Sequence, residues 1–292
     1  MYEAESKDQK NDRITNGDYG MMSGEHERIE KTDLEEKEYQ KVMEAAMRAG
    51  QILLSNGAEI SRVEDTIDRI CHHYGIESAN AFVLSNGIFT TMGGRREEFF
   101  AKVQHIPVSG AHLNKVAAVN QLSREIAEGK HTIDDVEHCL DEIEHMQGKK
   151  MLTQIAASGV GSASFCYLLG GDMADCFAAF VIGFFLYAFI LFGTKNRSKI
   201  VANMAGSAFA TFLCIVLYRL GIGHHMSSMI IGAVVPLVPG VAFTNAIRDI
   251  ANGDYIAGTV RMLDALLVFV SIALGVGVVL SINYRLTGGN LL

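Results

Sequence analysis

Beyond residue 150 the sequence contains five stretches with no charged side chain, 151–171, 176–194, 200–218, 226–244 and 265–284. Crossing a bilayer takes roughly 20 apolar residues of helix at 1.5 Å each, and every one of the five approaches that length. A single run of this kind also fits the buried helix of a large soluble protein. Five in succession, joined by short charged connectors, do not. Charge is divided accordingly. The part after residue 150 has seven basic and five acidic residues and no glutamate, leaving 18 of the 25 basic and 28 of the 33 acidic residues in the first 150. The formal net charge of −8 is thus −10 in the first part and +2 in the second. The sequence predicts an α-helical integral membrane domain of five transmembrane helices (151–292). A small α+β cytoplasmic domain (34–150) precedes it, after a disordered polar tail (1–33).

The connectors give an orientation. Lys195-Asn196-Arg197-Ser198-Lys199 carries three positive charges, whereas the first connector has Asp172 and Asp175. Positive connectors stay in the cytoplasm, which places the N-terminal domain there and the chain in the cell membrane as a multi-pass protein. The fourth connector, with Arg248 and Arg261, falls on the same side; Arg219 and Arg285 run against the pattern. Five crossings put the C-terminus outside. Residues 1–41 have no apolar run of the roughly 7–15 residues a secretory signal needs, and Met21 and Met22 offer alternative starts. The five cysteines form no CxxC pair, so neither a disulfide framework nor a zinc site is expected. The acidic soluble part argues against nucleic acid as a partner.

The fourth apolar stretch is the informative one. Of three prolines in the chain, Pro236 and Pro239 sit inside it, in Pro236-Leu237-Val238-Pro239-Gly240. Each removes a backbone donor and clashes with the carbonyl four residues back. Such backbone is tolerated at membrane depth only against protein or a water-filled cavity, and broken helices of this kind build substrate sites in secondary transporters. Polar residues follow: Thr244, Asn245, Arg248, Asp249, Asp254, Arg261 and Asp264. Thr244 and Arg248 share a helical face, with Asn245 beside them. Asp264 falls at the membrane boundary, where an ionisable group is costly unless paired or functional. The plainer reading makes Arg248/Asp249 and Arg261/Asp264 interfacial salt bridges. Gly159, Gly161, Ser162 and Ala163, the run Ala205-Gly206-Ser207-Ala208, and Gly275 and Gly277 are read as close-packing positions. His224-His225 reads as an exposed loop pair rather than a pH sensor or metal site.

In the N-terminal domain, Val42, Ala46, Ala49 and Leu53 make one helical stripe closed by Gly57, and Ile60, Val63, Ile67, Ile70 and Tyr74 a second closed by Gly75. Strands are expected at 79–85 and 88–92 around an Asn86-Gly87 turn, and at 98–104. Helices follow at 112–128 and 132–146, the last opening at Thr132 with Asp135 three residues on and carrying the stripe Ile133, Val136, Leu140 and Ile143. The charged face Glu59, Arg62, Asp65 and Arg69 is expected to be solvated or pressed against another domain. No nucleophile elbow, phosphate loop, HExxH or dinucleotide fingerprint is present. His131, His138 and His145 recur too widely to share a metal. No catalytic residue, metal or cofactor is predicted.

Two longer motifs carry a resemblance. Asn56-Gly57-Ala58-Glu59-Ile60-Ser61-Arg62-Val63-Glu64-Asp65-Thr66-Ile67 resembles the opening signature of the threonine/serine exporter family. PLVPG followed by Thr244-Asn245-Ala246-Ile247-Arg248-Asp249, Gly253-Asp254-Tyr255, Gly258 and Arg261 is similar to its second signature. The resemblance extends over residues 38–283. It implies a secondary carrier exporting small polar metabolites such as threonine, serine or a related small organic acid, with some members associated with dicarboxylates. Larger members carry a second block of spans, whereas this sequence ends just after its fifth; that implies a second five-helix membrane subunit or homo-oligomerisation. The alternative is a membrane-anchored cytoplasmic binding or regulatory module that assembles with a membrane partner. A membrane-tethered hydrolase ranks third.

Overall fold

A computed structural model of the chain describes residues 37–76, 79–93, 99–106, 112–194 and 197–287. The tail expected over 1–33, Met21 and Met22, residue 98 at the start of the third strand, and Lys195 and Asn196 of the second connector lie outside the described residues. The chain divides into two compact units, Met1–His145 and Met146–Leu292.

In the first unit α1 spans residues 37–55 and α2 spans Ile60–His73. Val42, Ala46, Ala49 and Leu53 of α1, and Ile60, Val63, Ile67 and Ile70 of α2, are buried. Gly57 (φ 83°) and Gly75 (φ 82°) stop the two helices in the left-handed conformation that favours glycine. Strands β1 (Ala79–Leu84), β2 (Gly87–Gly93) and β3 (Phe99–His105) form an antiparallel sheet in sequence order. The hairpin turn sits one residue earlier than expected. Leu84 pairs with Gly87, so Ser85 and Asn86 make the loop and Gly87 opens β2. β3 explains the shift: Ile106 N–H donates to the Asn86 carbonyl at 2.8 Å and Gly87 pairs with His105, which holds Gly87 in the ladder.

Gly50 of α1 marks a close approach. A Cβ built there would lie 2.7 Å from Ile67 Cδ1 and 3.1 Å from Ile88 Cδ1, so α1, α2 and β2 meet with no room for a side chain. Helices α3 (Leu113–Ala127) and α4 (Ile133–Glu144) complete the unit. Thr132 and Asp135 form a reciprocal capping box at the start of α4. Val136, Leu140 and Ile143 are buried and Ile133 is half-buried. Arg48 of α1 holds α4 through Asp141 (2.8 Å) and Glu144 (2.7 Å). On the charged face of α2, Arg69 donates to Ser123 Oγ of α3 at 3.2 Å, so this position packs within its own unit.

The second unit is helical: α5 (Met151–Leu168), α6 (Met173–Gly193), α7 (Lys199–Arg219), α8 (Met226–Val234), a 3-10 turn (Val235–Leu237), α9 (Gly240–Ala251) and α10 (Tyr255–Leu286). Its polarity is inverted relative to a protein folded for water. Ser162, Ser207, Thr211, Asp175 and Asp249 have no exposed surface, while Phe192 is 69% exposed and Phe177, Phe212, Leu263, Val270 and Leu274 are each more than half exposed. An apolar exterior over a polar-studded interior is stable only where the surrounding solvent is itself apolar.

Glycine and serine set the helix spacing. Ser158 Oγ donates to the Gly183 carbonyl at 2.9 Å, joining α5 to α6. A Cβ at Gly232 would lie 2.8 Å from both Cys166 N and Ser162 O, so α8 rests directly on the α5 backbone. Gly275 of α10 sits as tightly on Ser207 and Met204 of α7, while Gly161 and Gly277, also expected at packing seams, face open space. Two groups result: α8 lies mainly against α5 and α6, whereas α9 lies against α10, which packs along α7.

Among the described residues, Met173–Gly193, Lys199–Arg219 and Tyr255–Leu286 are long and apolar enough to cross a membrane; counting the bent pair α8–α9 as one span makes four. α5 is not among them. It has 18 residues, and Thr153, Gln154, Ser158, Ser162 and Ser164 dilute its apolar character.

Candidate substrate site at the broken helix

The helix breaks at Pro236 and Pro239. α8 ends at Val234, the 3-10 turn follows, and α9 leaves at 66° to the first segment. The Val235 carbonyl would be bonded by residue 239 in a continuous helix, but Pro239 has no N–H. Val238 N–H takes its place at 2.9 Å, tightening the turn. Leu237 is buried in the core, whereas Val238 and Gly240 are exposed. Nothing lies within 4 Å of a Cβ built at Gly240, so glycine is not demanded there by close approach.

The polar residues after the break separate into three sets. Asp249, Asp254 and Arg261 come together at the corner between α9 and α10. Arg261 Nη1 donates to Asp249 Oδ2 at 2.8 Å, with the Arg261 side chain 12% exposed and Asp249 fully buried. The corner itself is a turn through Gly253 (φ 99°), closed by Asp254 N–H on the Asp249 carbonyl at 2.9 Å. Gly258 keeps it tight, since a Cβ there would lie 2.6 Å from Ile250 Cγ1 and 3.0 Å from Ala246 O. Burial raises the pKa of the Asp254 carboxyl, with Asp249 adding to the effect and Arg261 opposing it. The second set, Thr244 and Arg248, lies on the exposed face of α9, with Asn245 half-buried beside them; Thr244 Oγ1 donates to the Gly240 carbonyl at 2.9 Å. Asp264 stands apart, bonded to Lys199 Nζ of α7 at 2.7 Å.

These contacts correct the pairing expected from sequence. Arg261 bonds Asp249 across the corner rather than Asp264 on its own helix, because the fold back of α9 brings a buried carboxylate to it. Asp264 takes Lys199, which sequence reasoning had read only as a connector charge. A second grouping was also missed: Asp172 and Asp175 at the start of α6 meet His224 and His225 of the α7–α8 turn. Their separation of about fifty residues left no local signal. The first unit contributes a cleft of about 270 Å³ lined by Gln51, Ile52, Ser55, Asn56, His112, Lys115 and Glu144. His131, His138 and His145 each bond locally, to Glu125, Glu142 and Asp141, and do not converge.

The inverted polarity and the apolar helices define a helical membrane protein, and the interrupted helix with a buried ion pair behind it is a transport-protein feature. The family described as "Putative threonine/serine exporter" matches residues 44–283, and the chain belongs to it. A threonine/serine exporter from Corynebacterium glutamicum is 25% identical over 245 residues, covering 81% of this chain and 50% of the relative. The chain therefore spans about half the length of that relative. No solved structure matches it.

Proposed function

We propose that this chain is a subunit of a secondary transporter that exports threonine, serine or a related small organic acid across the cell membrane, driven by an ion gradient. The broken helix carries this reading. It ends hydrogen-bonded helix in the middle of an apolar span and sets Thr244, Asn245 and the Arg248 cation on the segment just beyond. An amino or organic acid presents a carboxylate to which a guanidinium and a hydroxyl are complementary. Asp254 and the Lys199–Asp264 pair would serve ion coupling, and the Asp249–Arg261 pair would fix the angle of α9. Five spans, with α5 as the first and α8–α9 as the fourth, put the first unit in the cytoplasm and the C-terminus outside. In this reading a second five-helix subunit or a homo-oligomer completes the machine.

The test is efflux of labelled threonine, serine or a dicarboxylate from loaded vesicles containing the chain, alone and with a candidate membrane subunit. Arg248→Ala and Asp264→Asn should each abolish most efflux. Undiminished efflux in both would remove the site assignment. The cleft bordering Asn56 favours a second reading, a metabolite-binding regulatory module; metabolite binding by the full chain with no transport in any assembly would establish it instead.

A further inference from the structure

We propose that the α5–α6 and α7–α8 turns together form a binding site for a divalent transition-metal ion of the zinc class, with Asp172, Asp175 and His225 as ligands and His224 hydrogen-bonded to Asp172 behind them. One ligand atom from each of the first three lies within 4.8 Å of the others. His225 Nδ1 is 2.7 Å from Asp175 Oδ2, and His224 Nδ1 is 2.6 Å from Asp172 Oδ2. One imidazole nitrogen and two carboxylate oxygens, with a water in the fourth position, are a donor set that zinc accepts in tetrahedral geometry. With bonds of about 2.0–2.1 Å, neighbouring ligand atoms stand roughly 3.3 Å apart. The His225–Asp175 pair would open by about half an ångström and the wider separations in the group, within 4.8 Å, would close toward that value, the ion taking the place of the hydrogen-bonded proton.

The site is held by its surroundings, which separates it from a chance cluster on a surface. Asp175 has no exposed surface, although it lies at the start of an apolar helix. Its Oδ1 accepts the backbone N–H groups of His224 (2.6 Å) and His225 (2.9 Å), and its Oδ2 accepts Asp172 N–H at 2.9 Å. Asp172 in turn accepts Asp175 N–H at 2.8 Å through Oδ1, leaving Oδ2 toward His224. Backbone donors thus orient both carboxylates, as outer-shell groups do around metal ligands. Gly223 (φ 95°) lets the turn close over them, since a Cβ there would lie 2.9 Å from Asp175 Oδ1. An ion at this place would tie the α7–α8 turn to the start of α6.

The experiment is calorimetric titration of zinc into the purified full chain in detergent, with any polyhistidine tag removed. One equivalent binding at micromolar concentration or tighter is expected. His225→Asn keeps a polar side chain beside Asp175 and leaves the backbone donors in place, and it should weaken that equivalent at least tenfold. His224→Ala/His225→Ala should abolish it while sites elsewhere in the chain are unaffected. Cobalt in place of zinc should give the visible absorption of a tetrahedral centre, lost in the double variant. Absence of a stoichiometric equivalent in the parent chain, or an equivalent unchanged in the double variant, overturns the proposal and leaves the four residues as a hydrogen-bonded staple.

Discussion

Removal of the Arg261 guanidinium isolates what the corner between α9 and α10 contributes. Asp249 is fully buried and its carboxylate sits 2.8 Å from Arg261 Nη1, itself 12% exposed. Arg261→Ala removes the guanidinium 2.8 Å from that buried charge, and breaking a buried ion pair costs about 3–5 kcal/mol. At 1.4 kcal/mol per factor of ten, the folded-to-unfolded ratio of the membrane unit should fall by roughly two to three and a half orders of magnitude. Asp249→Ala alone breaks the same pair from the other side. The double variant Asp249→Ala/Arg261→Met removes both charges and restores apolar volume, so it should lose far less than the sum of the single effects, with a coupling of about 1–3 kcal/mol. Cys166 and Cys214 are fully buried within this unit, so denaturant-induced labelling by a thiol-reactive dye reports its opening in a background lacking Cys71, Cys139 and Cys176. An Arg261→Ala midpoint equivalent to less than about 1 kcal/mol, or strictly additive single effects, would refute the ion-pair argument.

Two further outcomes follow from the packing and the charges. Gly232→Ala pushes a methyl group against the α5 backbone at Cys166 N and Ser162 O, and should destabilise the membrane unit by about 1–3 kcal/mol in the same dye assay; a neutral result would mean α8 does not rest on α5. In the first unit the Arg48 hydrogen bond holds the Asp141 carboxyl below its ordinary value. A depressed carboxylate contributes stability that is present above its unfolded pKa and lost as pH falls through the lower folded one. Acid titration followed by far-ultraviolet circular dichroism should therefore show a steeper loss below about pH 4 for the parent than for Arg48→Ala; identical acid limbs would contradict it.

Local signals were legible in the sequence wherever one residue type decides the backbone. Gly57 and Gly75 stop their helices as read, the Thr132–Asp135 box opens α4, and two prolines break the fourth apolar stretch. The turn after β1 was displaced by one residue because the Asn-Gly preference is local whereas the position of Gly87 is set by β3, a partner the turn residues do not encode. The same limit governs the site. Arg261 and Asp264 share a helix face, yet each takes its partner from another helix, and spacing along one helix says nothing of which helix will lie alongside. The four residues from Asp172 to His225 are informative only once two turns far apart in sequence are brought to one end of the unit. Inverted polarity was the opposite case, readable in outline from the charge-free stretches alone, because solvent acts on every residue of a span at once.

The break in the fourth apolar stretch also has a mechanical meaning. Its two halves lie against different helices, α8 against α5, α6 and α7, and α9 against α10. The intervening link contains two prolines whose rings fix φ, Pro239 at −80°. Val238, the residue before Pro239, is held in extended backbone (ψ 124°), and the Leu237 side chain is anchored in the core. A change in the angle between α8 and α9 must therefore be taken up at a link whose two proline φ angles are fixed and whose Val238 is held extended, which stiffens the joint.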